Sequence, residues 1–216
     1  WFVLNNNGTI KNLNVVVGSI DKQTDKSFSL LVGTNNGTLQ NVGISCDSLK
    51  LTCNKSKDAN IYVNGFANHN NGYIKDCALS LNANVVGNLD GECFVAGFAG
   101  TNSGTISGCE FKANSSLLTA EADVCGIATD NSFGANVSSC KNFAAISQSS
   151  KIDDWSPNAS GIVQTNYGAV TNCHNFADVL VESTNSKQNT SALVFVGGIS
   201  TTNYGTIEHC LNKGKL

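Results

Sequence analysis

Large apolar residues recur along the chain at a fixed distance before a short turn that ends in glycine, and this recurrence organises the whole sequence. The turn glycines are Gly8, Gly37, Gly72, Gly104, Gly134, Gly168 and Gly205. The gaps between them are 29, 35, 32, 30, 34 and 37 residues, with a mean near 33. A period of that size, kept from end to end, predicts a solenoid.

Aligning the copies on these glycines gives columns of like residues. An asparagine stands two residues before the glycine, or three in the fifth copy: Asn6, Asn35, Asn70, Asn102, Asn131, Asn166 and Asn203. Four residues before each asparagine is a large apolar residue: Phe2, Leu31, Phe66, Phe98, Ile127, Ile162 and Ile199. After the turn comes a third column: Leu13, Val42, Cys77, Cys109, Cys140, Cys173 and Cys210.

Such columns are what stacked coils produce. Equivalent residues of neighbouring coils lie about 4.8 Å apart, the spacing of paired strands. The apolar columns then form a dry interior, and the asparagine amides hydrogen-bond to one another at an inward corner. The sequence therefore predicts an all-β fold, a right-handed parallel β-helix (β-solenoid) of about seven coils.

Two other repeat folds fit less well. Leucine-rich repeats run at 20–29 residues with a Leu-x-Leu spacing that is missing here. Helical repeats need a 3.6-residue apolar period, which these β-branched, Gly- and Asn-rich segments lack. We expect residues 1–216 to form a single β-solenoid segment that belongs to a longer surface protein, with flanking repeats of the same parent chain as neighbours.

Composition narrows the partners. Charged residues make up 13% of the chain, all 13 positive charges are lysines, and the formal net charge is −3. Without a basic footprint, neither nucleic acid nor an anionic membrane surface is an expected partner. No run approaches the 18 or more apolar residues of a membrane span, so membrane insertion of this segment is not expected.

The segments between the columns vary most, as surface loops do: 18–26, 47–57, 147–158 and 182–190. The third contains Asp153 and Asp154 beside Trp155. A tryptophan next to two carboxylates suits a sugar-stacking platform, and these residues are the candidate ligand-binding site. The other interpretation is that Trp155 folds back over an edge of the solenoid.

Five of the nine cysteines share one inward column, which favours a structural role as small buried apolar residues over a metal or redox role. No Cys-x-x-Cys pair is present. Cys46 and Cys53 bracket a short segment that we read as a loop, and a disulfide between them is one possibility, while Cys93 and Cys125 lie elsewhere on neighbouring coils.

Catalysis is a second interpretation, because many right-handed β-helices are polysaccharide lyases or glycoside hydrolases, which need carboxylates converging on one face. The acids do not recur in a column. The enzymatic candidates are three pairs in or near the loops of successive coils: Asp90 with Glu92, Glu121 with Asp123, and Asp153 with Asp154. Surface carboxylates on solvated loops are the simpler explanation, and we assign no catalytic residue, no metal site and no cofactor.

The columns resemble a known motif. The pattern Gly-Phe/Ile-x-x-x-Asn-x-Gly-Thr-Ile-x-x-Cys, best seen from Gly97 to Ile106, from Gly161 to Cys173 and from Gly198 to Cys210, is similar to the GLUG motif of bacterial surface proteins. The first two copies depart from it, with Leu13 and Val42 in place of cysteine. The resemblance implies a secreted or cell-surface module and brings no catalytic residues.

Three functions remain open at this point. We favour a non-catalytic extracellular stalk or adhesin module that presents loops or a lateral face to a glycan or a host or cell-surface protein. The alternative is the β-helix of a carbohydrate-active enzyme that uses loop carboxylates. The third option is a filament-forming surface subunit that self-associates through the ends of the solenoid.

Overall fold

The computed structural model describes residues 1–54, 60–87, 93–151, 155–184 and 193–216, and within these ranges the chain forms strands and turns only. Nothing helical in the described ranges has the length and apolar character of a membrane span. The strands in chain order are β1 (Val3–Asn6), β2 (Thr9–Thr24), β3 (Phe28–Ser29), β4 (Val32–Asn35), β5 (Thr38–Cys53), β6 (Ile61–Asn64), β7 (Ala67–Asn70), β8 (Tyr73–Lys75), β9 (Ala78–Val86), β10 (Cys93–Ala96), β11 (Ala99–Asn102), β12 (Thr105–Ser107), β13 (Glu110–Phe111), β14 (Ser116–Ala120), β15 (Asp123–Cys125), β16 (Ala128–Asn131), β17 (Asn136–Ser138), β18 (Lys141–Asn142), β19 (Ala145–Ser150), β20 (Asn158–Ser160), β21 (Val163–Asn166), β22 (Ala169–Thr171), β23 (His174–Asn175), β24 (Val179–Ser183), β25 (Phe195–Gly197), β26 (Ser200–Asn203), β27 (Thr206–Glu208) and β28 (Leu211–Asn212).

These strands form three sheets that run the length of the solenoid. The first sheet has seven strands in the order β1-β4-β7-β11-β16-β21-β26, and the second has six in the order β25-β20-β15-β10-β6-β3. The third sheet contains the remaining strands, among them the long β2 and β5, which are paired along their length. Strands pair in parallel with their equivalents one period away, as β1 does with β4 and β11 with β16. The predicted parallel β-solenoid is confirmed.

The apolar column before the asparagines lies in single file inside the solenoid. Phe66 and Phe98 are fully buried and their rings stack with centroids 4.8 Å apart. Ile127 follows in the next coil, and the backbone amide of Phe98 donates to its carbonyl oxygen. Burial falls off in the first coil, where Phe2 is 65% exposed, because only one neighbouring coil covers it.

The asparagine ladder is continuous over all seven predicted positions. Each Nδ2 donates to the Oδ1 of the next asparagine along the stack at 2.7–2.8 Å, from Asn6 through to Asn203. The five internal members, Asn35 to Asn166, are fully buried, so each amide group finds its partner inside the protein. A second, shorter ladder that the sequence analysis missed joins Asn142, Asn175 and Asn212 at 2.7–2.8 Å.

The third predicted column is also in register, with Leu13 opposite Val42. Cys77, Cys109, Cys140 and Cys173 are buried, Cys210 is half-buried, and all five thiols are free. One residue before each member the backbone takes a positive φ, near 50–62°, at Asn12, Asn41, Asp76, Gly108, Ser139, Asn172 and His209. Asparagine, aspartate and glycine tolerate this left-handed conformation best, and they occupy five of these seven positions.

Two expectations about loops are wrong. Residues 18–24 belong to β2 and residues 47–53 belong to β5, because their alternating side chains continue the ladder between these strands instead of leaving it. Cys46 and Cys53 therefore lie on one extended strand, and both thiols are free. The disulfide considered between them is not formed, since seven residues of extended strand hold the two sulfurs apart.

We predict that Asn102→Ala lowers the free energy of unfolding by about 1–3 kcal/mol, because Asn70 Nδ2 and Asn131 Oδ1 each lose the hydrogen bond that they make with the buried Asn102 amide. Asn84→Ala is the matched control: Asn84 is an exposed residue inside β9, and its loss should change stability by less than about 0.5 kcal/mol. Urea unfolding followed by circular dichroism measures both. Equal losses in the two variants would contradict a stabilising ladder.

Candidate functional site

The outer faces of the first and second sheets meet along one lateral corner of the solenoid. Side chains from the two sheets contact each other across this corner: the rings of Tyr62 and His69 lie edge to face at 6.2 Å, and Asn64 Nδ2 donates to Asn68 Oδ1 at 3.0 Å. The alternate residues of the same strand, such as Val63, point into the core. The two outer faces therefore form a concave angle on the surface of the solenoid.

We call this angle the corner groove and define it by three sets of residues. One wall is the outer column of the second sheet, and the other wall is the outer column of the first sheet. The floor is formed by polar residues at the junction. The second-sheet wall consists of Tyr62, Phe94 and Asp123. The first-sheet wall consists of His69, Thr101 and Asp130. The floor consists of Asn64, Asn68, Ser160 and Gln164.

The second-sheet wall is aromatic in its first two coils. The rings of Tyr62 and Phe94 are stacked, with centroids 5.4 Å apart and an interplanar angle of 22°. Gly100 lies opposite, where an added Cβ would come within 2.8 Å of both Tyr62 Cδ1 and the carbonyl oxygen of Asn68. A larger residue at this position would push into the ring of Tyr62, so glycine preserves the aromatic wall.

The floor of the corner groove contains buried polar atoms whose hydrogen-bonding capacity is not used. Gln164 is 5% exposed, and its Nε2 donates to Asp123 Oδ2 at 2.7 Å. Within the described chain, Gln164 Oε1, Asn64 Oδ1 and Ser160 Oγ have no hydrogen-bond partner. An unpaired buried polar atom costs about 1–3 kcal/mol, so this floor suits a hydroxyl-rich ligand that supplies the missing partners.

Two carboxylates of one coil belong to the corner groove. Asp123 lies in register with Phe94, and Asp130 lies in register with Thr101. The negative charges of both carboxylates act on the thiol of Cys125, which lies at the junction of the two sheets. Burial raises the pKa of this thiol well above its usual value, a hydrogen bond with Thr129 opposes the rise, and the negative charges of Asp130 and Asp123 add to it.

The sequence-predicted ligand site is only partly within the described residues. Asp153 and Asp154 lie outside them, as do Asp90 and Glu92. Trp155 is half-buried and lines a pocket of about 350 Å³ at the corner groove, together with Phe94, Asp123 and Gln164. The tryptophan therefore lies beside a carboxylate and an aromatic ring, although the carboxylate is not one of the two expected.

The remaining acidic candidate has a structural role. Glu121 has a positive φ of 54°, and its carboxylate accepts hydrogen bonds from Ser150 Oγ at 2.9 Å and from the backbone amide of Lys151 at 2.7 Å. It thereby ties the end of one coil to the end of the next. Of the pair Glu121 and Asp123, only Asp123 faces the corner groove.

Sequence reasoning missed Tyr62, Phe94 and Gln164. The available signal was the alternation in β6 and β10, where Ile61-Tyr62-Val63 and Cys93-Phe94-Val95 each place one aromatic residue between two buried ones. Alternation of that kind predicts an outward-facing ring. The position was overlooked because the next coil has Asp123 there, so no column of identical residues marks it.

A second exposed aromatic surface lies at the turn that follows the first sheet. Tyr167 and Tyr204 stack with centroids 5.0 Å apart, and Phe133 is 93% exposed beside them. This surface is open, and the turn glycines Gly168 and Gly205 also line it. Among the described residues that line it, only Asn136 has a buried unpaired polar atom, its Oδ1, against three such atoms in the floor of the corner groove, so we use it below as a reference surface.

Among the described residues no three His, Cys, Asp or Glu side chains converge to hold a metal ion. Comparison of the chain with models of known families, with curated proteins and with solved structures finds no match. The resemblance to the GLUG motif therefore stays a prediction, and any proposal for function must be argued from the site itself.

Two serines in one column test whether polar atoms in the floor of the corner groove lack hydrogen-bond partners. Ser29 and Ser160 are both fully buried, but the Ser29 hydroxyl donates to the carbonyl oxygen of Val32, whereas Ser160 Oγ has no partner in the described chain. We predict that Ser29→Ala lowers the free energy of unfolding by about 1 kcal/mol, and that Ser160→Ala leaves it unchanged or raises it by up to about 1 kcal/mol. Chemical denaturation of both variants measures the difference, and a larger loss for Ser160→Ala would contradict the assignment.

Proposed function

We propose that this chain is a non-catalytic secreted or cell-surface β-helix module that binds a glycan along the corner groove. The observation that carries the proposal is the buried amide of Gln164, whose Oε1 has no partner among the described residues and which lies beside the aromatic wall. A buried polar group of this kind, next to half-buried rings, is what a specific polar ligand recognises.

A glycan matches both components of the corner groove. Sugar rings present apolar C–H faces that pack on aromatic rings, and Tyr62, Phe94 and Trp155 offer such surfaces. Sugar hydroxyls both donate and accept, so they can pair with the buried, unpaired acceptors Gln164 Oε1 and Asn64 Oδ1 when these side chains turn towards the corner groove. A peptide strand is a poorer match, because the backbone groups of these strands are already paired with neighbouring coils.

The repeat geometry also favours a chain-like ligand. Successive coils place their outer residues in line at about the strand spacing of 4.8 Å, so an extended polymer in the corner groove meets a new side chain at each coil. An adhesin or stalk that holds a polysaccharide laterally would use this arrangement. The proposed location, outside the cell or at its surface, follows from the same function.

The alternative is a carbohydrate-active enzyme, and one observation favours it. Asp123 and Asp130 belong to the same coil, and the charges of both reach the thiol of Cys125. Hydrolysis or elimination at a glycosidic bond needs two such groups, one as acid and one as base or nucleophile. In the favoured function the same carboxylates only accept hydrogen bonds from sugar hydroxyls.

We predict that Phe94→Ala weakens glycan binding about tenfold or more, because an aromatic stacking contact is worth about 1–1.5 kcal/mol and its loss also opens the wall around Trp155. Tyr167→Ala is the matched control, since it removes an exposed, stacked ring at the turn after the first sheet, outside the corner groove, and should leave affinity unchanged. A glycan array identifies the ligand, and titration calorimetry on the best hit compares the variants. Equal losses in the two variants, or no glycan bound at all, would overturn the proposal.

The same preparations separate a binding module from an enzyme. Each array-positive polysaccharide is incubated with the protein, and new reducing ends or unsaturated products are measured. Absence of turnover is expected. Turnover that is lost in Asp123→Asn or Asp130→Asn, but retained in Tyr167→Ala, would establish the enzymatic alternative, and turnover lost in Asp153→Asn or Asp154→Asn would restore the loop pair.

A further inference from the structure

Two cysteines from different sheets lie in contact inside the solenoid. Cys53 is the last residue of β5 in the third sheet, and Cys93 is the first residue of β10 in the second sheet. They are 40 residues apart in sequence, both are buried, and their Sγ atoms are 3.1 Å apart. The contact bridges the two sheets at the edge where the chain passes from one to the other.

This pair differs from the stacked cysteine column. In the column, each thiol is bonded to backbone carbonyl oxygens, as Cys109 Sγ is to Ser107 at 3.3 Å and to Ile74 at 3.6 Å. In-register neighbours on parallel strands hold their Cβ atoms at about the 4.8 Å strand spacing, which is wider than the roughly 3.5–4.5 Å of a disulfide. Cys53 and Cys93 come from different sheets and face each other, so this restriction does not apply to them.

We propose that Cys53 and Cys93 are the site of an intramolecular disulfide that links the third sheet to the second, formed by exchange with a small disulfide such as oxidised glutathione. In the first step one cysteine thiolate attacks glutathione disulfide and releases one glutathione. The second cysteine then attacks this mixed disulfide and releases the other glutathione. Two thiols are oxidised with loss of two protons and two electrons, and one glutathione disulfide is reduced to two thiols.

The environment of the pair supports this exchange. The Cys93 thiol donates a hydrogen bond to Cys53 Sγ, and this bond lowers the pKa of the Cys53 thiol against the opposing effect of burial. The thiolate is the reactive form of cysteine. Cys93 also lines the pocket at the corner groove, so the pair lies close to the surface, and local opening of the strand ends is needed to expose its buried thiols to the reagent. The inference is independent of the glycan proposal.

The test uses the whole chain. The protein is reduced, desalted, exposed to oxidised glutathione, denatured and treated with N-ethylmaleimide, and its mass and proteolytic map are determined. Of the nine cysteines, two should become protected and seven should react, with Cys53 and Cys93 recovered in one cross-linked peptide. The oxidised protein should melt several degrees above the reduced one, because a closed loop of about 40 residues restricts the unfolded chain.

Variants assign the effect. Cys93→Ser should abolish both the protection and the rise in melting temperature, whereas Cys46→Ser, a change at a buried thiol of the same strand as Cys53, should retain them. The map of the wild-type chain decides the question even if a variant folds poorly. The proposal is overturned if all nine thiols stay reactive after oxidation, or if the protected pair maps to Cys46 with Cys53 or to neighbours in the cysteine column.

Discussion

A chain of hydrogen bonds between side-chain amides at one inner corner sets the geometry of the whole molecule. Each buried asparagine meets the next at 2.7–2.8 Å, since an amide oxygen left unpaired at this buried corner would have no water to bond. The sequence separation of bonded asparagines nevertheless ranges from 29 to 37 positions. The coils therefore absorb their differences elsewhere, chiefly between the third sheet and the second, and the asparagine corner stays in register.

Fixing the inside in this way leaves the outside free to vary. The outer column of the second sheet changes from Tyr62 to Phe94 to Asp123 in three coils, while the inner positions of the same strands remain apolar. The variable outer positions and the buried inner positions are thus one residue apart on the same strand. At the floor of the corner groove the separation breaks down, because Gln164 and Ser160 are buried like core residues and bonded less completely than them.

The sequence was most informative where coils repeat the same residue. The asparagine ladder, the apolar column before the asparagines and the cysteine column were each predicted, since like residues at a constant offset have one simple structural explanation. Parts of the long strands β2 and β5 were predicted to be loops. Polar residues such as Asp47 and Lys50 alternate there with buried ones, and strands of 16 residues were not expected between successive turns.

The corner groove and the Cys53–Cys93 contact were beyond sequence reasoning for a different reason. Both join residues of different sheets, 40 or 41 positions apart in the case of Cys53 with Cys93 and Asp123 with Gln164. A repeat period relates like residues one coil apart, but it says nothing about which unlike residues face each other across a bend. That information depends on the angle between the sheets, which no column of the alignment records.

The asparagine ladder has a direction as well as a register. Every amide nitrogen points the same way along the stack, from Asn6 towards Asn203, so the side-chain dipoles add instead of cancelling. No ladder amide points the opposite way to cancel the others. The aligned amides therefore give the solenoid an electric dipole along its axis. Each added coil would extend that polarity, with an oxygen offered at one face of the stack and a nitrogen at the other.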